Sequence, residues 1–193
     1  MRKSYKHLIR ICIMTTASPT PPPTPNSNFL LRDKILFGWY PTDPSSSGIY
    51  SNNIDSILKT GREVFVNLTT SHERAQLYNY IPRVKECVKN PIFLSFEIPD
   101  LGIPQDLPEF CKFILQLKSI LNEGKNIYLH CRGGHGRSGL VTACLLISLD
   151  MSPEDALFEV KLSHSTREYY PDFPCPQTKE QIEFVKAFPQ EFC

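Results

Sequence analysis

Residues 126–147 constrain the fold more strongly than any other part of the chain. A short apolar run leads into a loop rich in glycine, and a longer apolar run, Leu140 to Ile147, follows the loop. The first run has the length and composition of a buried strand, and the second is long enough for a buried helix. The sequence therefore predicts a strand–loop–helix unit in which Cys131 ends the strand and Arg137 begins the helix.

The loop between these two residues is suited to binding an anion. It contains five residues, of which three are glycine. Glycine lets the backbone curl so that successive N–H groups point into one concavity, towards which the next helix directs the positive end of its dipole. Such a concavity binds a tetrahedral dianion and stabilises a thiolate, while a guanidinium can hold two phosphate oxygens. The sequence thus predicts a phosphate site with Cys131 as nucleophile and Arg137 as clamp.

The order His130-Cys131, five residues, Arg137-Ser138 resembles the signature of the cysteine-based protein tyrosine phosphatases. The flanking residues resemble the dual-specificity type, and most closely its kinase-associated phosphatase branch. The resemblance implies a single α/β domain, with a mostly parallel central sheet and helices on both faces. It also implies hydrolysis of phosphotyrosine, phosphoserine or phosphothreonine through a phosphocysteine. A glycine turn around a structural cysteine is the plainer alternative, but that turn would not need Arg137 or Ser138.

The resemblance also implies roles for the other loop residues. His130 would order the loop backbone. Ser138 would hydrogen-bond the Cys131 sulfur and help it leave, or would simply cap the helix. The Arg132 and His135 side chains would face either substrate or solvent. The phosphate would be bound by a run of six residues: Arg132, Gly133, Gly134, His135, Gly136 and Arg137.

Phosphate monoester cleavage also needs a general acid, and three residues compete for that role: Glu97, Asp100 and Asp106. The resembled family places an aspartate about thirty positions before the cysteine, and Asp100 precedes Cys131 by 31 positions. Asp100 lies between proline and glycine, where a mobile acid loop is expected. Asp106 has a structural explanation as part of a capping box, and Glu97 lies within a predicted strand. We therefore predict Asp100 as the acid.

Alternating strands and helices elsewhere in the chain support the same architecture. We divide the chain into a basic, proline-rich and disordered extension, residues 1–29, and a catalytic domain, residues 30–193. Met14 is an alternative start. The pattern predicts strands at Ile35–Tyr40, Val64–Leu68 and Ile92–Ile98, and helices at Ser51–Thr60, His72–Tyr80, Phe110–Leu121 and Thr178–Ala187.

Composition excludes several classes of function. The formal net charge is +1, so nothing indicates nucleic acid or a membrane surface as a partner, and no apolar stretch is long enough for a membrane span. The seven cysteines are odd in number and contain no Cys-x-x-Cys pair, which favours free thiols in a reducing compartment, cytoplasmic or nuclear. We expect a monomer without metal or other cofactor that acts on phosphorylated protein.

Three alternatives remain open from the sequence. The same chemistry could act on a phosphoinositide or on an RNA 5′-phosphate. A non-catalytic module that reads phosphate would usually lack the cysteine or the acid, whereas Cys131 and Asp100 are both present. A sulfurtransferase or an arsenate reductase also uses a cysteine loop, but the Arg137-Ser138 pair and the upstream acid loop disfavour both.

Overall fold

The computed structural model describes residues 21–42 and 53–189, and in them five strands form one sheet. The strands are β1 (Ser27–Leu30), β2 (Ile35–Gly38), β3 (Val64–Asn67), β4 (Ile92–Ser95) and β5 (Ile127–His130). Their spatial order is β1-β2-β5-β3-β4, and every neighbouring pair except β1-β2 is parallel. All residues of β2, β3 and β5 are buried, as expected for parallel strands covered on both faces. The predicted mostly parallel sheet is confirmed.

Helices pack on both faces of this sheet because neighbouring strand residues point to opposite sides. Leu129 joins a core formed with the longer helices, whereas Tyr128 joins a second core that includes Ile57 and Val84. This confirms the predicted three-layer α/β arrangement. The helices are α1 (Asn53–Leu58), α2 (Ser71–Arg74), α3 (Ile81–Cys87), α4 (Leu107–Asn122), α5 (Gly136–Ser148), α6 (Pro153–His164) and α7 (Lys179–Lys186).

The predicted strand–loop–helix unit forms β5, the loop after it and α5. Every residue of α5 is buried, because the helix lies between the sheet and the helices α4, α6 and α7. The loop therefore lies at the carboxyl edge of the parallel strands, the usual ligand-binding position in such sheets. Within residues 21–42 and 53–189, none of the helices combines the length and apolar character needed to cross a membrane.

Strand β1 begins before the domain start that the sequence suggests, because residue 30 is the last residue of that strand. Ser27 and Asn28 belong to that strand and are fully buried. Because these residues are polar, the sequence pattern did not indicate a strand, but each polar side chain has a hydrogen-bond partner. Thr24 Oγ1 donates to Ser27 Oγ at 2.6 Å, and Asn28 Nδ2 donates to Ser163 Oγ at 2.7 Å. The folded domain thus includes at least residues 24–29, and residues 1–20 lie outside the described part.

Three other elements differ from the expectation. The range predicted as one helix, His72–Tyr80, is helical only at its start, in α2, and a second short helix, α3, follows it directly. The α2 helix starts one residue earlier because Thr70 and Glu73 form a capping box, and α3 starts with a proline in its first turn. Strand β4 ends at Ser95, so Glu97 lies beyond it. The expected first two residues of α1, 51 and 52, lie outside the described residues.

Candidate active site

Cys131 lies at the bottom of the loop that joins β5 to α5. Its side chain is 3% exposed, and its Sγ accepts a hydrogen bond of 3.1 Å from the Gly134 amide. Gly134 has a φ of +67°, and a Cβ atom there would lie 2.4 Å from the Gly38 carbonyl carbon. Only glycine fits this close approach of the loop to strand β2. The amide concavity expected from the sequence is therefore formed around the thiol.

The Arg137 guanidinium, also predicted for this site, is buried beside the loop and is held from several sides. Its Nη1 donates to Glu73 Oε2 at 2.7 Å and to the Ile98 carbonyl at 3.2 Å. Its Nη2 donates to Glu73 Oε1 at 2.9 Å and lies 2.8 Å from Asp100 Oδ1. The side chain is only 2% exposed. Two carboxylates thus compensate one buried positive charge.

Glu73 is a site residue that the sequence analysis did not identify. Its carboxylate closes the capping box of α2 by accepting from the Thr70 amide at 2.9 Å, and it also holds both Nη atoms of Arg137. Burial raises the pKa of Glu73, but the hydrogen bonds from Arg137 and Thr70 outweigh it and lower the pKa overall. The only local signal was the capping box, which by itself indicates a helix start and no function.

Of the three candidate acids, only Asp100 reaches the loop. Its side chain is 66% exposed and contacts Arg137. Asp106 is the N-cap of α4, where its carboxylate accepts from the Glu109 amide at 3.0 Å. Glu97 is exposed and forms an ion pair of 2.5 Å with Arg74. The geometry thus favours the solvent-facing Asp100, which contacts Arg137, over the two acids whose partners lie away from the loop.

The segment that carries Asp100 is anchored to the start of α7. The fully buried Gln181 side chain donates from Nε2 to the Gly102 carbonyl at 2.9 Å, and Thr178 Oγ1 donates to the Leu101 carbonyl at 3.4 Å. The same Gln181 amide fills the space beside Gly136 in the loop. One glutamine therefore links the Asp100 segment, the phosphate loop and α7.

His130 is fully buried directly before Cys131. Its Nε2 lies 2.8 Å from the Tyr80 hydroxyl, and its Nδ1 lies 3.2 Å from the Cys131 carbonyl. Burial lowers the pKa of His130 to about 3, so the ring is neutral at physiological pH. A carbonyl can only accept, which assigns the proton to Nδ1 and makes Nε2 the acceptor for Tyr80. These bonds suit the predicted role of ordering the loop backbone.

Ser138 and two loop side chains differ from the simplest expectation. The Ser138 hydroxyl is buried without a hydrogen-bond partner among the described residues, so it does not bond the Cys131 sulfur in this state. It does not cap α5 either, because His135 occupies that position. Arg132 faces solvent, one of the two expected orientations. The His135 ring faces neither solvent nor an open site: it is 8% exposed and hydrogen-bonds His164 at 2.8 Å.

The arrangement as a whole is suited to bind a tetrahedral anion next to a nucleophilic sulfur. The Gly134 amide reaches the sulfur, helix α5 begins within the same loop, and the buried Arg137 guanidinium contacts the Asp100 carboxyl group. Within the described residues, no group of three histidine, cysteine or acidic side chains is placed to hold a metal ion.

Comparison with known proteins identifies relatives over most of the chain. The protein-family model described as "Swiss Army Knife protein, DSP-PTPase phosphatase domain" matches residues 46–184. The putative tyrosine phosphatase 197R of Invertebrate iridescent virus 6 is 39% identical over 167 residues, which are 84% of this chain and 53% of that protein. Human cyclin-dependent kinase inhibitor 3 is 42% identical over 101 residues, 50% of this chain and 45% of that protein. The chain thus spans about half the length of these curated relatives.

A solved structure with the same fold is that of kinase associated phosphatase with its catalytic-site cysteine replaced by serine. The structural match covers 86% of this chain and 94% of the solved chain, with a TM-score of 0.69 and 21% sequence identity. At that identity the likeness concerns the fold, which agrees with the sheet order and helix placement described above.

Proposed function

Because the chain belongs to the family of dual-specificity-type (DSP-PTPase) phosphatase domains and is related to their kinase-associated phosphatase branch, we propose that it is a cysteine-dependent phosphoprotein phosphatase. The observation that carries the proposal is the single cluster of Cys131, Arg137 and Asp100 at one loop. A site that only reads phosphate needs the amides and the guanidinium, whereas the added thiol and acid are the groups that bond cleavage needs.

In the first step, the Cys131 thiolate attacks phosphorus opposite the leaving oxygen. The loop amides of residues 132–137 and the Arg137 guanidinium stabilise the charge on the non-bridging oxygens. The bond from phosphorus to the leaving oxygen breaks, and Asp100 gives its proton to that oxygen. The products of this step are a phosphocysteine, the dephosphorylated hydroxyl group and the Asp100 carboxylate.

In the second step, water attacks the phosphocysteine. The Asp100 carboxylate accepts a proton from this water as the bond between sulfur and phosphorus breaks. Inorganic phosphate then leaves, and Cys131 is a thiolate again. Ser138 has a buried hydroxyl with no other partner among the described residues, and rotation of that hydroxyl would let it donate to the departing sulfur. No metal or cofactor takes part in either step.

The proposed substrate is a phosphorylated protein side chain, with phosphotyrosine, phosphoserine or phosphothreonine as the leaving group. The name of the viral relative, a putative tyrosine phosphatase, supports the first of these. A buried thiol that must stay reduced to act favours a reducing compartment, so we place the activity in the cytoplasm or nucleus. We further propose that the chain acts as a monomer.

The test is to trap the intermediate and to profile substrates in parallel. Purified protein is mixed with ³²P-labelled phosphopeptide and quenched, and the label is mapped by peptide analysis. We expect the label on Cys131, whereas Cys131→Ser should lose turnover but still bind inorganic phosphate. Full activity in the serine variant would refute the mechanism. Turnover restricted to inositol lipids or to RNA 5′ ends would refute the phosphoprotein assignment while keeping the chemistry.

A further inference from the structure

A second arginine, Arg167, lies buried behind the phosphate loop. It is 3% exposed, and its guanidinium stacks over the Phe37 ring at 5.4 Å. Its Nη2 donates to the Gly134 carbonyl at 3.0 Å and to the Phe37 carbonyl at 3.3 Å, while Nε donates to Asn28 Oδ1 at 2.6 Å. Its Nη1 has no partner among the described residues. A full positive charge is thus buried against neutral acceptors only, an arrangement that costs stability unless a negative charge lies nearby.

Arg167 faces the Cys131 thiol, the nucleophile of the proposed mechanism, across a single residue. Gly134 connects the two, because its carbonyl accepts from Arg167 and its amide donates to Cys131 Sγ. Burial lowers the pKa of Arg167 to about 10, so the guanidinium remains charged at neutral pH. Arg167 therefore orients Gly134, whose amide donates to the sulfur, and places its own positive charge behind Cys131.

The other titratable groups near this pair are neutral or are already compensated. Burial, together with the charge of Arg167, lowers the pKa of His135 to about 4 and that of His164 to about 3. Burial raises the pKa of Cys175 to about 12. Arg137 shares its charge with the carboxylates of Glu73 and Asp100. The titratable groups that face Cys131 or Arg167 are Tyr128, His130, His135, Arg137, His164 and Cys175.

The chain contains an internal reference for this comparison in Arg62. That arginine is also 3% exposed, also stacks on a phenylalanine ring, and also donates to main-chain carbonyls. Its Nε donates to Thr60 Oγ1 at 3.0 Å. Burial lowers the pKa of Arg62 to about 10, against the smaller opposing effect of the Asp33 carboxylate. Arg62 lies two residues before the start of β3, at the end of the sheet opposite to the phosphate loop. The two arginines are thus similarly buried, but Arg62 faces the Asp33 carboxylate whereas Arg167 faces Cys131 across Gly134.

We propose that Arg167 is a positioning residue for the reaction, one whose uncompensated charge holds Cys131 as a thiolate and whose hydrogen bond fixes Gly134 towards the sulfur. The effect of Arg167 on turnover rests on the proposed function. Its direct consequence is the reactivity of the Cys131 thiol, which can be measured without any phosphate substrate.

The test is to give Arg167 a carboxylate partner through Asn28→Asp. This substitution keeps the acceptor of the Nε hydrogen bond and strengthens it, although it removes the Asn28 donor to Ser163 Oγ. A purely structural role of Arg167 therefore predicts unchanged reactivity of the Cys131 thiol. A charge role predicts that the thiolate loses its counter-charge. We expect the pH midpoint of iodoacetamide alkylation at Cys131 to rise by about one unit, a roughly tenfold loss of thiolate below the midpoint. Mass spectrometry of the tryptic peptide 126–132 reports alkylation of Cys131 alone.

Thr60→Asp is the matched control, because it places the same carboxylate on Nε of Arg62, and it should leave the midpoint unchanged. Arg167→Gln and Arg167→Lys then separate the hydrogen bond from the charge. Glutamine can still donate to Gly134 and should raise the midpoint, whereas lysine keeps the charge and should stay near the wild-type value.

The proposal is overturned if Asn28→Asp leaves the midpoint unchanged, or if Thr60→Asp moves the midpoint equally. It is also overturned if Arg167→Lys and Arg167→Gln behave alike. Turnover distinguishes this result from the fate of the proposed function. A wild-type protein that hydrolyses phosphopeptide but shows no effect of Asn28→Asp refutes only the role of Arg167, whereas a shifted midpoint without any turnover refutes only the phosphatase.

Discussion

Removing the charge of Glu73 should weaken the fold and the site together. Glu73→Gln keeps the shape of the side chain and one acceptor oxygen, so the bond to the Thr70 amide or one bond to Arg137 can survive. It removes the carboxylate that holds both Nη atoms of a guanidinium only 2% exposed. Asp100 then remains as the one carboxylate in contact with Arg137, and its own side chain is 66% exposed.

The magnitude follows from the burial of the two partners. Leaving a buried charge without its partner typically costs about 3–5 kcal/mol, and a partner as exposed as Asp100 returns about 1 kcal/mol at most. With one hydrogen bond retained, we expect Glu73→Gln to lower the free energy of unfolding by about 2–3 kcal/mol. For a chain of this size, that corresponds to a fall in Tm of about 4–12 °C.

Urea unfolding at pH 7 measures this change, and Glu97→Gln is the matched control. Glu97 also pairs with an arginine, Arg74, but the two side chains are 45% and 33% exposed. An ion pair that exposed is worth about 1 kcal/mol or less. If Glu73→Gln costs no more than Glu97→Gln, the Glu73–Arg137 pair does not stabilise the fold as argued here.

The pH dependence gives a second check on the same residue. The folded-state pKa of Glu73 is lowered, so its contribution to stability is fully present above the unfolded-state pKa and is lost as the pH falls through the folded-state value. The stability difference between wild type and Glu73→Gln should therefore be largest near neutral pH and should shrink in acid. A difference that stays constant down to low pH would contradict the ion-pair explanation.

Two further substitutions test the loop and the acid. Gly134→Ala should lower the free energy of unfolding by about 3 kcal/mol or more because its Cβ would clash with Gly38. The control is Gly61→Ala, at a φ of +71° in open space, which should cost only about 1 kcal/mol. Equal costs of the two substitutions in urea unfolding would contradict the close approach of Gly134 to Gly38. Asp100→Asn should slow turnover of substrates with poor leaving groups by about 10²–10⁴-fold and flatten the alkaline limb of the pH–rate profile. Asp106→Asn should leave both unchanged because asparagine also caps helices, and the reverse outcome would move the acid to that position.

The loop could be predicted from the sequence because its determinants are local. Glycines, the cysteine and the arginine lie within one short segment, and the flanking apolar runs identify a strand and a helix. The position of Asp100 near the loop could be anticipated because proline and glycine bound its segment and Asp106 had a separate explanation as a helix cap. The structure agrees with that explanation in the bond from the Glu109 amide to Asp106.

Glu73, Arg167 and strand β1 could not be predicted in the same way. Glu73 and Arg167 reach the loop only through the fold, and each sits in a segment whose pattern indicates nothing more than a helix end. Strand β1 is polar because Asn28 serves as the acceptor for Arg167. A sequence pattern that searches for apolar alternation misses a strand whose side chains are buried for hydrogen bonding rather than for packing.

The contacts of Arg137 connect phosphate binding to release of the acid. Both hydrogen bonds of Nη1 and one of Nη2 go to Glu73 and the Ile98 carbonyl, and the Asp100 carboxylate lies against the same Nη2. A phosphate held by two parallel bonds needs Nε together with the remaining N–H of Nη2. The exposed Asp100 is the partner that can move, since Glu73 is fixed within the α2 cap. On the proposed mechanism, substrate therefore displaces Asp100 from the guanidinium, and the freed carboxylate takes up a proton from solvent that it then gives to the leaving oxygen.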